Sequence, residues 1–161
     1  MNGEEIRAIH LPRGHTDGDS VIYFTQSKVV HMGDDFVTYG FPFVDVRSGG
    51  SVQGMMDGVE KVLALVPADV KIIPGHGQIS TPDDMRKFVQ MLKETRGLVA
   101  EAARQGKTVA QMKEQHLLSK YEDLGKGFIK TEAWIDLLYA EVSQEPDAAG
   151  YQNHGHADER K

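Results

Sequence analysis

Apolar and polar residues alternate over short runs in the first part of the chain and recur at helical spacing in the rest. Residues 5–11, 20–25 (SVIYFT) and 28–32 (KVVHM) are brief β-branched and aromatic runs, the signature of strands. Only Gln26 and Ser27 separate the second run from the third, so the two are read as a tight antiparallel hairpin. Residues 70–73 (VKII) stop at Pro74 and read as a short buried strand. Between these, Val52, Met55, Met56, Val59, Val62, Leu63 and Val66 recur at steps of three and four, giving one apolar helical stripe. Ser51 is positioned to cap that helix and Pro67 to stop it. Thr81 followed by Pro82 is a second helix start, a capping hydroxyl followed by proline in the first turn. Met85, Phe88, Leu92, Thr95, Val99 and Ala102 form its expected buried face, and Gly106 ends it. Residues 108–120 and 131–142 read as two further helices, the last with Trp134, Leu137, Leu138 and Glu141 on a face with one polar edge. Strands, helix, strand, then helices make a mixed α/β layer structure, with helices over one sheet face and nothing evident over the other.

Composition narrows the function classes. A chain of 161 residues is one domain, here residues 1–143 followed by a tail at 144–161. The net charge of −6 opposes binding to phosphate backbones, so nucleic-acid partners are not expected. There are no cysteines, which excludes disulfides, a thiolate nucleophile and thiolate-held metals. No apolar run approaches the ~18 residues of a membrane span, and the first residues do not open a signal peptide, so a cytoplasmic location is expected. Any transition metal must be held by the seven histidines and the carboxylates.

Three such residues follow strands in glycine-bounded turns. His15 lies in PRGHTDG, Asp34 in HMGDD and His76 in PGHG. Glycine permits sharp turns and close backbone approach, and strand ends feeding loops are where catalytic groups concentrate. Two imidazoles and a carboxylate suit zinc, with iron or manganese as alternatives. Three protein ligands leave room for water, the arrangement used by catalytic metals. Taken singly each is weak evidence: a lone histidine is usually structural and a Gly-Asp pair is commonly a turn. His31 reads as a structural strand residue, His116 as a helix-surface residue, and His10 as close to His15 without being a ligand.

The stretches GHTDGD at 14–19, HMGDD at 31–35 and IIPGHG at 72–77 resemble, in order, motifs of the metallo-β-lactamase superfamily of metallo-hydrolases. PFVDVRSGGS at 42–51 also resembles one branch of it, and the similarity runs from about residue 5 to about residue 143. The resemblance implies that His15 binds a first metal, Asp34 bridges two metals and His76 binds the second. It implies one or two zinc ions and a metal-bound hydroxide attacking an ester, thioester, lactam or phosphoester, with residues 39–51 lining the substrate cleft. Asp34 stands where some lactamases carry cysteine, which places the likeness with the broader hydrolases. The superfamily's HxHxDH signature normally lies upstream of the GHT motif, and it does not precede His15 in this chain. With it go two histidines for the first metal, an Asp-His pair for the second, and the aspartate that orients water.

The implied fold is therefore half of an αββα sandwich: a mixed sheet covered by helices on one face, its open face completed by a second copy. A homodimer or higher homo-oligomer and a small-molecule substrate are the expected partners. The tail carries HGHADE, which fits HxHxD followed by Glu, so His154, His156 and Asp158 are candidate ligands, with Asp158 a candidate for orienting water. Residues 143–153 span about 35–40 Å when extended, enough to reach a site. The competing reading is a linker with a mobile terminus, since no apolar strand precedes His154. The alternative function is a catalytically inactive remnant of the fold, serving as a dimeric scaffold or weak metal binder.

Overall fold

The computed structural model describes residues 2–144. Four strands form one sheet in the order β1 (Ile6–His10), β2 (Ser20–Phe24), β3 (Val29–His31) and β4 (Lys71–Ile73). β1, β2 and β3 pair antiparallel, with Ala8 opposite Ile22 and Tyr23 opposite Val30, while β3 and β4 run parallel, with Val30 opposite Ile72. A parallel pair requires a crossover. α1 (Val52–Leu65) supplies it, after 3-10 turns at Gly33–Asp35 and Val46–Ser48. The connection between β2 and β3 covers residues 25–28, with Lys28 in the left-handed region at φ 50°, so it is longer than the two-residue turn expected.

Pairing and burial together separate the two sheet faces. Val21, Tyr23, Val30 and Ile72 share one face and are buried. The alternate positions, including Ile22, Phe24, Val29 and Ile73, are half-buried or exposed. The helices therefore lie over one face, as the alternation of the strands requires.

α2 (Pro82–Arg104) starts on a complete capping box: Thr81 Oγ1 accepts the Asp84 N–H, and the Asp84 carboxylate accepts the Thr81 N–H. Met85, Phe88, Leu92, Thr95, Val99 and Ala102 are all buried, as the spacing predicts. α2 packs on α1 and on α4 (Thr131–Val142). Trp134 is fully buried, stacked on Phe41 at 5.2 Å, and its indole N–H donates to Thr95 Oγ1 at 3.2 Å. Glu141 of α4 accepts the backbone N–H groups of Val52 and Gln53 at 2.8 and 3.1 Å, so a carboxylate 89 positions away caps the start of α1.

The helix expected at 108–120 is shorter. α3 (Val109–Glu114) ends at Gln115, His116 takes a left-handed φ of 49°, and a kinked 3-10 segment follows at Ser119–Lys126. The break turns Leu118 into the core, where it is fully buried. His116 thus lies just past the end of α3, exposed as expected, and not within a helix.

Among the described residues no helix is long and apolar enough to cross a membrane. The mixed sheet with helices agrees with the fold class expected from the sequence. The tail residues His154, His156 and Asp158 lie outside the described residues.

Candidate functional site

Each candidate ligand is positioned by backbone contacts from another segment. His15 sits in the loop between β1 and β2. Its backbone N–H donates to Asp35 Oδ1 at 2.9 Å, and its carbonyl accepts the Asp45 N–H at 2.8 Å. Its ring Nδ1 lies 2.9 Å from the Phe43 carbonyl. A carbonyl only accepts, so Nδ1 carries a proton and, in the neutral ring, Nε2 is the nitrogen with the lone pair. The loop closes on itself through Asp19, whose carboxylate accepts the Thr16 N–H and, at 3.0 Å, the Thr16 hydroxyl.

Asp34 is in the 3-10 turn that follows β3. His76 follows β4, and the Val37–His76 bridge with Thr38 N–H donating to the His76 carbonyl at 3.2 Å ties its loop to the chain beyond Asp34. Gly75 lies against this turn: a Cβ there would stand 2.3 Å from Asp34 Oδ1 and 2.6 Å from the Gly33 carbonyl. Only glycine fits that approach.

The three side chains meet. His15 Nε2 is 3.8 Å from Asp34 Oδ2, and His76 Nε2 is 3.3 Å from Asp34 Oδ1. One carboxylate thus stands between two imidazoles, one facing each oxygen. The side chains of His15, Asp34 and His76 are 19%, 41% and 61% exposed, so the cluster opens to solvent on the His76 side. The contacts run pairwise through Asp34, and among the described residues no group of three or more His, Asp or Glu is gathered tightly enough to enclose a cation. The donor types nonetheless fit a hard-to-borderline divalent metal: imidazole with a fixed tautomer and a carboxylate offering both oxygens.

Asp35 is a site residue that the sequence did not single out. It is buried, and burial pushes its carboxyl up to about 6, against the opposing effect of the His15 N–H it accepts. Gly14 makes room for it, since a Cβ at position 14 would lie 1.9 Å from Asp35 Oδ1. The Asp-Asp doublet was visible, but only the fold shows that its two carboxylates face opposite ways, Asp34 into the cluster and Asp35 under the His15 loop.

Two residues of the segment 39–51 stand against the cluster. The Phe43 ring is 5.6 Å from the His15 ring and the Tyr39 ring is 5.6 Å from the His76 ring, centroid to centroid. His10 turns away and contacts the Asp17 carbonyl at 2.7 Å, and His31 Nδ1 accepts the Gly33 N–H at 3.1 Å, a structural role. A concavity of about 660 Å3 between α1 and α4, floored by Arg13, Gly54 and Glu141, includes none of the three candidate ligands.

No protein-family model matches the chain, and no curated protein matches it. Solved structures do match. One is a metallo-β-lactamase from Pontibacter korlensis, with 15% identity and a TM-score of 0.50, covering 58% of this chain and 43% of that one. The fold is a metallo-β-lactamase fold. Two further matches are TMB-1, at 16% identity and TM-score 0.49 over 59% of this chain and 43% of that one, and TTHA1623 in a di-iron-bound form, at 23% and 0.44 over 51% and 40%. This metallo-β-lactamase-fold chain spans 43% of the length of the Pontibacter structure it matches.

Proposed function

We propose that the protein is a metal-dependent hydrolase whose centre is built on His15, Asp34 and His76. The observation that carries this reading is the pairwise convergence of His15 and His76 on the two oxygens of Asp34. In this reading His15, Asp34 and His76 would hold the metal, with the Asp34 carboxylate shared between the two imidazole sides. Zinc suits the donor set best, with iron or manganese next. When bound, such a cation supplies Lewis acidity toward a carbonyl or phosphoryl oxygen and acidifies water toward neutrality.

The chain's own contribution is to orient donors. The Phe43 carbonyl accepts from Nδ1 of His15, which orients the ring with Nε2 toward Asp34. Asp35 anchors the loop that carries His15. Ester, thioester, lactam and phosphoester substrates all belong to this chemistry. His154, His156 and Asp158 are proposed as further ligands supplied by the tail, with Asp158 able to orient water.

Purified protein is expected to carry near-stoichiometric zinc, to hydrolyse members of an ester panel, and to lose both in Asp34→Ala. Metal analysis and initial-rate assays check this. Deleting residues 150–161 tests the tail separately, and zinc content unchanged by the deletion removes those ligands from the proposal.

The second reading, a non-catalytic scaffold that associates with its own copies, is supported by the half-covered sheet. The positions sharing a face with Ile22 and Phe24 include none that is buried among the described residues. That reading expects metal-poor protein that still self-associates.

A further inference from the structure

Three aromatic rings stand in solvent beside the metal-ligand cluster. Tyr39, Phe43 and Phe128 are 42%, 48% and 72% exposed. They extend the cluster without a break: Phe128 meets the Phe43 ring edge-on at 6.4 Å, Phe43 meets His15, and Tyr39 meets His76 at the opposite end. We propose that the Phe43–Phe128 pair is a binding ledge for a flat apolar group of the substrate, held on the His15 side of the site. This rests on the hydrolase reading and adds the substrate class: compounds with an aryl or comparably apolar acyl part next to the scissile bond.

The ledge is a built feature. Phe128 comes from the segment between the 3-10 turn and α4, about 85 positions from Phe43. An antiparallel bridge between Phe41 and Ile129 joins the two segments. Gly40 and Gly127 approach so closely that a Cβ on Gly40 would stand 2.8 Å from the Leu124 carbonyl and 3.4 Å from Gly127 Cα. Phe41, between the two exposed rings of its segment, is buried on Trp134 and fixes the strip to α4. The bridge and the close backbone approach therefore anchor both segments while their rings stay in solvent, and exposed aromatic surface beside a polar site marks a binding position.

Size selects the occupant. Aromatic side chains carry about 150–250 Å2 each, so the exposed parts of two rings offer roughly 200–300 Å2. A stable protein interface needs ~800 Å2 per partner, far more than this ledge, whereas one substrate ring fits it. Edge-to-face contact is the geometry that such a ring prefers.

The probe is phenylacetamide, with acetamide as control, titrated into the full-length metal-free protein and followed by amide chemical shifts. Shifts centred on residues 39–43 and 127–129 are expected for phenylacetamide alone, with apparent affinity about fivefold weaker in Phe128→Ala and in Phe43→Ala. Phe128→Leu should restore part of the affinity. In zinc-loaded protein the ratio of kcat/KM for methyl phenylacetate over methyl acetate should be about tenfold, and should fall in Phe128→Ala. Binding at the ledge without turnover of either ester keeps the ledge as an aryl-binding position and overturns the hydrolase reading, and with it the substrate assignment. Equal turnover of both esters with no shifts at the ledge overturns the ledge and leaves the hydrolase. Shifts centred instead on the sheet face around Ile22 and Phe24 overturn the ledge, as does conversion of an oligomer to monomer by Phe43→Ala or Phe128→Ala.

Discussion

The Asp35 carboxylate is buried and accepts the backbone N–H of His15, so substitutions there act on the candidate site through its loop. Asp35→Ala leaves that N–H without its partner and empties the space under Gly14, an expected loss of about 1–3 kcal/mol. Asp35→Asn keeps an acceptor of the same shape, and its stability should stay close to that of the wild type. Urea unfolding of the two variants checks the pair. Gly75→Ala places a methyl group against Asp34 and the Gly33 carbonyl. It should lower zinc content while leaving the far-UV spectrum unchanged, since the crowding is confined to the turn that carries Asp34. The three candidate ligands could be named from the sequence, because each is a His or Asp in a glycine-bounded turn after a strand and the three motifs occur in the order of the family they resemble. Asp35, Phe128 and the Phe43 carbonyl were not readable: their parts depend on contacts made across 20 to 85 positions of chain, and no local pattern encodes those.

At the scale of elements, helix starts and stops were well marked. The Thr81-Pro82 start, the six positions of α2 expected to be buried and the Ser51 cap all appear as expected, because capping and 3.6-residue periodicity are local. Periodicity places Thr95 on the buried stripe and leaves its partners unnamed. It is a polar residue on the buried stripe, its hydroxyl donates to the Met91 carbonyl at 2.9 Å, and it accepts the Trp134 indole N–H. Thr95→Val leaves that indole N–H buried and unpaired, at an expected cost of about 1–3 kcal/mol, whereas Thr95→Ser keeps the acceptor. Chemical denaturation distinguishes them.

The 3-10 segment Ser119–Lys126 docks on α2 through Glu94, whose carboxylate accepts from Lys120 Nζ at 2.5 Å and from the Tyr121 hydroxyl. Those hydrogen bonds, Lys120 first, pull the Glu94 carboxyl down to about 2 from an ordinary value near 4.5. A depressed carboxyl contributes stability above its unfolded value and loses it as pH falls. The segment should therefore loosen progressively from about pH 4.5 toward pH 2. Glu94→Gln should flatten the melting-temperature profile over that interval.

For the whole molecule, the open sheet face decides the expected behaviour. Ile6, Ala8, Ile22, Phe24, Val29 and Ile73 share that face by register, and none is buried. A second copy packed sheet on sheet remains the proposed cover, with sedimentation at micromolar concentration as the measurement. Phe24→Lys sets an unpaired charge in that contact and should shift the population toward monomer. A wild-type chain that sediments as a folded monomer removes the dimer from the proposal.

Alternation in the strands, periodicity in the helices and capping residues are properties of neighbours in sequence, so the residues alone determined the strands, the helices α1, α2 and α4, the buried stripe of α2, the mixed α/β class and the identity of three candidate ligands. Whether those candidates face one another is a question of where three strand ends point, and only tertiary packing decided it. The same packing placed Asp35 beneath His15, capped α1 with a carboxylate from α4, ended α3 so that Leu118 could be buried, and brought Phe128 beside Phe43. Each of these joins segments whose separation in the chain is set by the fold, because burial and hydrogen bonding act between whatever groups the folded chain brings within a few ångströms.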